Sequence, residues 1–250
     1  MIQRSFEQDP ALDVAVSRAL MLRVAAGELP ETLRLARPAP MVAFAKRDVV
    51  APGYDAAVAA ARAGGFEAIV RLAGGRAAVF HPGTMEIGHA VPEPEPRAGI
   101  HPRFRRMAAR IARALRGVGV DARVGEVPGE YCPGRYSVNA RGAAKLAGIG
   151  QRIVAGGSHT GCVLVVSDAE RVRDVLLPVY AALGLEWDPD TTGSVEAELD
   201  GRPAASASRW DGIRDAILAA YARDRDLVEA DLDEQTLALA RRLAPEHQPA

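Results

Sequence analysis

Between Leu33 and Val166 the chain repeatedly sets short apolar runs against turn residues. TLRLA and MVAFA flank Pro38-Ala39-Pro40, the run into Arg71 breaks at Gly74-Gly75, and Ala77 to Phe80 turns at Pro82-Gly83 before another run toward Val91. Further runs cover Ala122 to Val124, Tyr136 to Ala140, Ala144 to Gly148 and Gly161 to Val166. Apolar runs of this length bounded by Gly and Pro read as strands. Turns rather than helical crossovers join most of them, and parallel neighbours need crossovers. An α+β fold is expected, with a mixed, mostly antiparallel sheet flanked by helices, in preference to a doubly wound parallel sheet. TLRLA and MVAFA are expected to pair with each other.

Helical spacing supplies the flanking layers. Asp9-Pro10 opens a helix that carries Leu12, Val16, Ala19, Leu20 and Val24 and stops at Gly27. A second spans Tyr54 to Arg62 and ends at Gly64-Gly65. The stiff connector VPEPEP hands over to a third, His101 to Gly117, with Met107, Ile111 and Leu115 on its apolar side. Asp168 is expected to cap a fourth, and Gly184 to end it. A polar stretch over 186–205 precedes two closing helices near Trp210 to Arg223 and Asp233 to Leu243, and APEHQPA reads as a frayed tail. Residues 1–184 form the main body and 185–250 a helical extension packed on it.

The bulk properties exclude several classes. A formal charge of −1 gives no basic surface for nucleic acid or for an acidic membrane. MIQRSFEQDP lacks a signal-peptide core, and no run approaches the ~18 apolar residues of a membrane span, so a cytoplasmic location is expected. Two cysteines thirty residues apart make neither a disulfide framework nor a zinc site, and both read as free thiols. Neither G-x-G-x-x-G nor G-K-[ST] spacing occurs, so the glycines at 74 and 75 match no nucleotide fingerprint.

Three features could carry chemistry. Cys132, before Pro133-Gly134, sits on a turn, where a thiol is either an exposed nucleophile or a small buried hydrophobe. Cys162, inside GCVLVV, reads as buried. Lys145 is one of only two lysines among 31 basic residues, and it lies in the apolar run AAKLAG. An ammonium there either directs its tip into a cavity or snorkels from an edge strand. Gly74 and Gly75 permit close backbone approach to a ligand, although a hairpin turn would use the same letters. His81 and His159 are candidate bases for Cys132, and nothing in the linear sequence places either beside it.

These pieces resemble the lipoyl and octanoyl transfer family, which shares its catalytic domain with biotin and lipoate protein ligases. Arg71-Leu-Ala-Gly74-Gly75-Arg76-Ala-Ala-Val-Phe-His81 resembles the family's glycine-rich hairpin. Lys145-Leu-Ala-Gly148-Ile-Gly-Gln151-Arg152 matches its Lys-x-x-Gly-x-x-Gln-Arg motif letter for letter. The loop Tyr131-Cys132-Pro133-Gly134-Arg135-Tyr136 resembles that of the cysteine-dependent octanoyl transferases, the branch that includes the lipoyl amidotransferases. The resemblance covers residues from about 65 to 180 and makes the main body the catalytic domain.

It implies that Cys132 carries the acyl group as a thioester, that Lys145 orients the acyl carbonyl, and that Arg71, Gly74, Gly75, Arg76, His81, Gly148, Gln151 and His159 bind substrate. It implies no cofactor and no metal. The expected donor is acyl carrier protein or an acylated lipoyl domain, and the expected acceptor a lipoyl domain such as glycine cleavage H protein or a 2-oxoacid dehydrogenase subunit. Val70 stands where ATP-dependent lipoate ligases carry a second arginine, and Arg76 where they carry a third glycine; the Gly-Arg-Gly-Arg of biotin ligases is missing. An ATP-dependent ligase and a non-catalytic acyl-binding or lipoyl-domain-binding protein are the alternatives.

Overall fold

The computed structural model describes residues 1–6, 8–199 and 208–249. Among the described residues nine strands form two sheets: β1 (Thr32–Ala36), β2 (Met41–Phe44), β3 (Glu67–Val70), β4 (Ala78–Phe80), β5 (Thr84–Pro92), β6 (Ala122–Val124), β7 (Val138–Ala140), β8 (Ala144–Val154) and β9 (Gly157–Val165). The large sheet runs β1-β5-β9-β8-β7-β6 and is antiparallel throughout, while the small sheet runs β3-β2-β4 with only β2 and β3 parallel. Eight α-helices among the described residues surround them: α1 (Pro10–Ala25), α2 (Lys46–Val49), α3 (Tyr54–Ala63), α4 (Ile100–Gly117), α5 (Ala169–Ala182), α6 (Val195–Glu198), α7 (Arg209–Ala222) and α8 (Glu234–Leu243). This is the expected α+β arrangement.

Period-two alternation decides which face of the large sheet does what. One face presents Leu33, Leu35, Met85, Ile87, Cys162 and Leu164 to Met107, Ile111 and Leu115 of α4 and to Ile213 and Ile217 of α7, forming the main core. The opposite face is unusual. Arg34, Gly88, Gly161 and Gly150 stand in one row across β1, β5, β9 and β8, with Glu86, Val163 and Gly148 in the next. With the His159 ring packed close over Gly88 and Gly161 and Ala73 close over Gly150, Gly161 and Gly150 border a cavity on this face. The small sheet covers part of it with Met41, Ala43, Ala78 and Phe80, and α1 closes the far side with Val14 and Ser17.

α1 is fixed over that face by a buried ionic cluster. The Arg34 guanidinium donates to Asp13 Oδ1, to Ser17 Oγ at 3.1 Å and to Glu86 Oε2 at 3.3 Å, and Ser17 Oγ donates to Glu86 Oε1 at 2.9 Å. The extension packs on the same body: α7 lies on α4 and α8 on α1.

Four expectations are corrected. β1 and β2 do not pair, because the linker with Pro38 and Pro40, which lack the N–H groups a ladder needs, carries the chain from one sheet to the other. β3 and β4 do not form a hairpin, since β2 lies between them. Asp168 precedes α5 but its side chain makes no capping bond, its backbone being left-handed at φ 56°. The tail is packed as well: Ala244–His247 form a 3₁₀ turn in which His247 Nδ1 lies 2.7 Å from Val70 O. The part of the expected polar stretch from 200 to 205 lies outside the described residues.

Replacing Arg34 by leucine strands two carboxylates in the interior. Removing one partner of a buried ionic cluster costs about 3–5 kcal/mol. Arg34→Leu is therefore expected to lower the urea midpoint sharply at pH 7, as followed by circular dichroism.

Candidate active site

The loop between β6 and β7 carries the thiol, and a buried carboxylate organises it. Glu130 accepts from Val127 N–H at 3.1 Å, Gly134 N–H at 3.0 Å, Ser137 Oγ at 2.6 Å and Lys145 Nζ at 3.1 Å. Lys145 reaches this loop from β8, an interior strand, and its side chain is 1% exposed. Its Nζ also donates to Tyr131 O and Cys132 O, both at 2.8 Å, and lies 4.7 Å from the centroid of the Tyr131 ring. An ammonium has three N–H donors, and all three are used within the protein. The Lys145 stem passes beside Gly148, where a Cβ would be in ordinary van der Waals contact with its Cε at 3.5 Å.

These bonds hold Cys132 in the left-handed region at φ 42°, a costly conformation for a residue with a side chain. Its N–H donates to Tyr180 Oη at 2.9 Å, and that hydroxyl donates onward to Ala77 O at 3.0 Å. The sulfur is thereby aimed at the glycine loop, where it accepts from Arg76 N–H at 3.2 Å and from Arg71 Nη2 at 3.5 Å. Burial alone pushes this thiol up. The charges of Arg71 and Lys145 and the Arg76 N–H outweigh it and hold the thiol below the ordinary range. At Cys162 burial drives the thiol far upward, and the Lys145 charge only partly opposes it.

Gly75 is the residue that permits this approach. Its φ is +114°, and a Cβ would fall 2.0 Å from Arg71 Nη2 and 3.0 Å from Cys132 Sγ. Gly74 faces open space, and its carbonyl accepts from Arg71. Below the sulfur a cavity of about 470 Å³ opens between the two sheets, walled mainly by apolar atoms and running over Gly148, Gly150 and Gly161 toward Ser17 and Glu86. Among the described residues no cluster of three or more His, Cys, Asp or Glu could hold a metal ion, and no helix is long and apolar enough to cross a membrane.

Most of the expected site residues meet here. Cys132, Lys145, Arg71, Gly74, Gly75, Gly148, Gln151 and His159 all line the cavity. Arg76 contributes its backbone N–H, while its side chain pairs with Asp48 at 3.1 Å. Gln151 ties β8 to α4 by donating to Ile100 O at 2.7 Å and accepting from Arg103 Nε at 3.0 Å. His81 is a correction: it does not line the cavity. It closes the β4–β5 turn, with Nδ1 accepting from Gly83 N–H at 3.1 Å, and burial together with Arg171 lowers its pKa to about 4. The bonds to the sulfur come from Arg71 and the Arg76 N–H and not from His81 or His159, and the charges acting on it are those of Arg71 and Lys145. Glu130 and Tyr180 escaped the sequence reading. Glu130 stands two residues before the cysteine, whereas Tyr180 lies 48 residues away on α5, with no local signal linking it to the loop.

This environment has a measurable signature. Iodoacetamide should label Cys132 in the folded protein with a rate whose pH midpoint lies below the ~8.5 of a free cysteine. Arg71→Leu should move that midpoint up, and Cys162 should react only after unfolding; mass mapping of the labelled peptides at each pH checks all three.

With the geometry in hand, known proteins fall into place around it. Residues 9–182 match the family model described as lipoyl protein ligase A/B catalytic domain. An octanoyl-GcvH:protein N-octanoyltransferase of Geobacillus kaustophilus is 30% identical over 197 residues, 76% of this chain and 69% of that protein. A lipoyl-GcvH:protein N-lipoyltransferase of Listeria monocytogenes is 27% identical, over 68% of this chain and 62% of its own length. In fold, the chain superposes on a crystal structure of lipoate-protein ligase A bound with ATP with a TM-score of 0.78 at 18% identity, covering 98% of this chain and 93% of the other. A bipartite lipoate protein ligase of Thermoplasma acidophilum gives 0.74 at 17% identity, covering 98% and 91%. The chain belongs to the lipoyl protein ligase A/B catalytic-domain family, and it is an acyltransferase of that family.

Proposed function

We propose that this acyltransferase moves an octanoyl or lipoyl group between a GcvH-type carrier and a lysine of another lipoyl domain, through a thioester on Cys132. The observation that carries the reading is an activated thiol at the mouth of an apolar cavity. Relatives named octanoyl-GcvH:protein and lipoyl-GcvH:protein transferases support the acyl group and the carrier. Burying an eight-carbon chain contributes about 0.8 kcal/mol per methylene, which binds the acyl group in preference to the carrier's own surface.

In the first step the Cys132 thiolate attacks the acyl carbonyl. The S–C bond forms, the donor's C–N bond breaks, and the departing lysine amine takes up a proton; a carrier thioester would instead lose its thiolate. In the second step the neutral amine of the acceptor lysine attacks the thioester carbonyl, an amide forms, the S–C bond breaks and the amine releases a proton. Arg71, Lys145 and the Arg76 N–H surround the sulfur, so they stabilise negative charge as it moves from sulfur to the neighbouring carbonyl oxygen. Because all three Lys145 donors are already used, this reading makes the lysine first the anchor of the cysteine loop. It orients the acyl carbonyl only by exchanging one of those bonds.

Intact-protein mass spectrometry tests the proposal. Incubation with octanoylated H protein or with octanoyl-acyl carrier protein is expected to give a hydroxylamine-labile octanoyl adduct on the parent and no such thioester on Cys132→Ser. No adduct from either donor, with lipoylation appearing once ATP and free lipoate are added, would overturn the transferase reading in favour of a ligase.

A further inference from the structure

The glycine loop that donates to the sulfur is held from outside. Residues 71–77 leave β3 and enter β4, which flank β2 on either side, so the loop crosses over the end of that strand. Gly74 and Gly75 bring no side chains to brace it, and Gly75 stands at φ +114°. The stretch that ends β2 and forms α2 grips it instead. Phe44 O accepts from Arg71 N–H at 2.8 Å, the Arg47 guanidinium donates to Gly75 O, and Asp48 Oδ1 accepts from Arg76 Nη1 at 3.1 Å.

Asp48 is the fixed member of this grip. Its side chain is wholly buried, and its other oxygen accepts from Ala45 N–H at 3.0 Å, whereas the Arg76 side chain is partly exposed. A buried ion pair adds little net stability over a well-packed apolar pair, so its effect here is sought in position. Gly75 C=O and Arg76 N–H belong to one planar peptide. Arg47 holds the oxygen of that plane, Asp48 holds the side chain of the residue that follows it, and the N–H meets Cys132 Sγ at 3.2 Å.

From this we infer that Asp48 is a positioning residue for the Cys132 nucleophile, acting through Arg76 to keep the Gly75–Arg76 peptide turned with its N–H on the sulfur. Its bearing on acyl transfer rests on the thioester reading above. Arg71, Lys145, Tyr131 and Tyr180 stand around the sulfur, with Glu130 bonded to Lys145. Asp48 bonds to Ala45 and Arg76 and reaches the sulfur through the latter.

The pH profile of iodoacetamide labelling at Cys132 tests this, because two variants that break the Asp48–Arg76 bond change the charge in opposite senses. Asp48→Asn keeps the shape and an acceptor for Ala45, and Arg76→Met keeps the backbone N–H. By charge alone, losing the carboxylate would lower the midpoint and losing the guanidinium would raise it. Lost positioning raises both, by roughly one pH unit, the size of one hydrogen bond to a charged group. Hydrogen exchange at the residue-76 amide should also quicken roughly tenfold in both variants. Because Arg76 is partly exposed, Arg76→Met decides the matter should Asp48→Asn not fold. A midpoint that stays or falls in folded Asp48→Asn, or an unchanged residue-76 amide in Arg76→Met, overturns the inference while leaving the transferase reading intact. A parent that takes no octanoyl group from either donor overturns the transferase reading, and the midpoints still decide the part of Asp48.

Discussion

The ammonium of Lys145 is the interaction on which the site depends. It is buried, paired at 3.1 Å with the Glu130 carboxylate, and bonded to the carbonyls of Tyr131 and Cys132. Taking both charges out of water costs several kcal/mol each, and the arrangement persists because all three ammonium donors and both carboxylate oxygens find partners. Glu130 is satisfied by two backbone N–H groups and a serine hydroxyl as well. The result is a rigid knot at the base of the cysteine loop. An arginine would bring a planar fork with five donors into a space shaped for a point charge with three.

That knot matters because it works against the backbone preference of Cys132. A positive φ at a residue with a side chain persists only where its surroundings over-determine it. Here the constraint comes from below through Lys145 and from the side through Tyr180, and the thiol is delivered to the Arg76 N–H and the Arg71 guanidinium. The cavity has an equally local origin. Gly88, Gly161 and Gly150 fall in one row only because β5, β9 and β8 pair in this register, and a slip of one residue would turn all three to the helix-covered face. Sheet register and thiol chemistry are thus coupled through β8, which carries both Lys145 and the glycines.

The fold class was legible because punctuation by Gly and Pro and the helical spacing at 10–25 and 100–117 are local signals. Strand partners were not. TLRLA and MVAFA look alike and are adjacent in sequence, yet each is buried in a different sheet, and partner choice is a tertiary matter. Within the site, Lys145 stood out because a lysine is rare in this chain, and Gly75 because the turn is glycine-rich. His81 looked equivalent to His159 in sequence, and only the turn geometry at Gly83 separates them. Tyr180 had no signal at all, since a tyrosine on an amphipathic helix reads as core. The glycine row was invisible for the same reason: its members lie 73 residues apart at the extremes, in Gly88 and Gly161, and meet only through pairing.

The most direct test of the central claim is the rate at which Lys145→Arg, which retains the charge and changes only its shape, forms the proposed Cys132 acyl-enzyme. Rapid-quench mass spectrometry with an octanoylated carrier gives the rate, and circular dichroism with urea unfolding establishes that the chain is folded. If the ammonium is the anchor of the cysteine loop, a folded Lys145→Arg should acylate at least about tenfold more slowly, the loss of one hydrogen bond to a charged group. Acylation at the parent rate would show that positive charge alone suffices and would contradict the account.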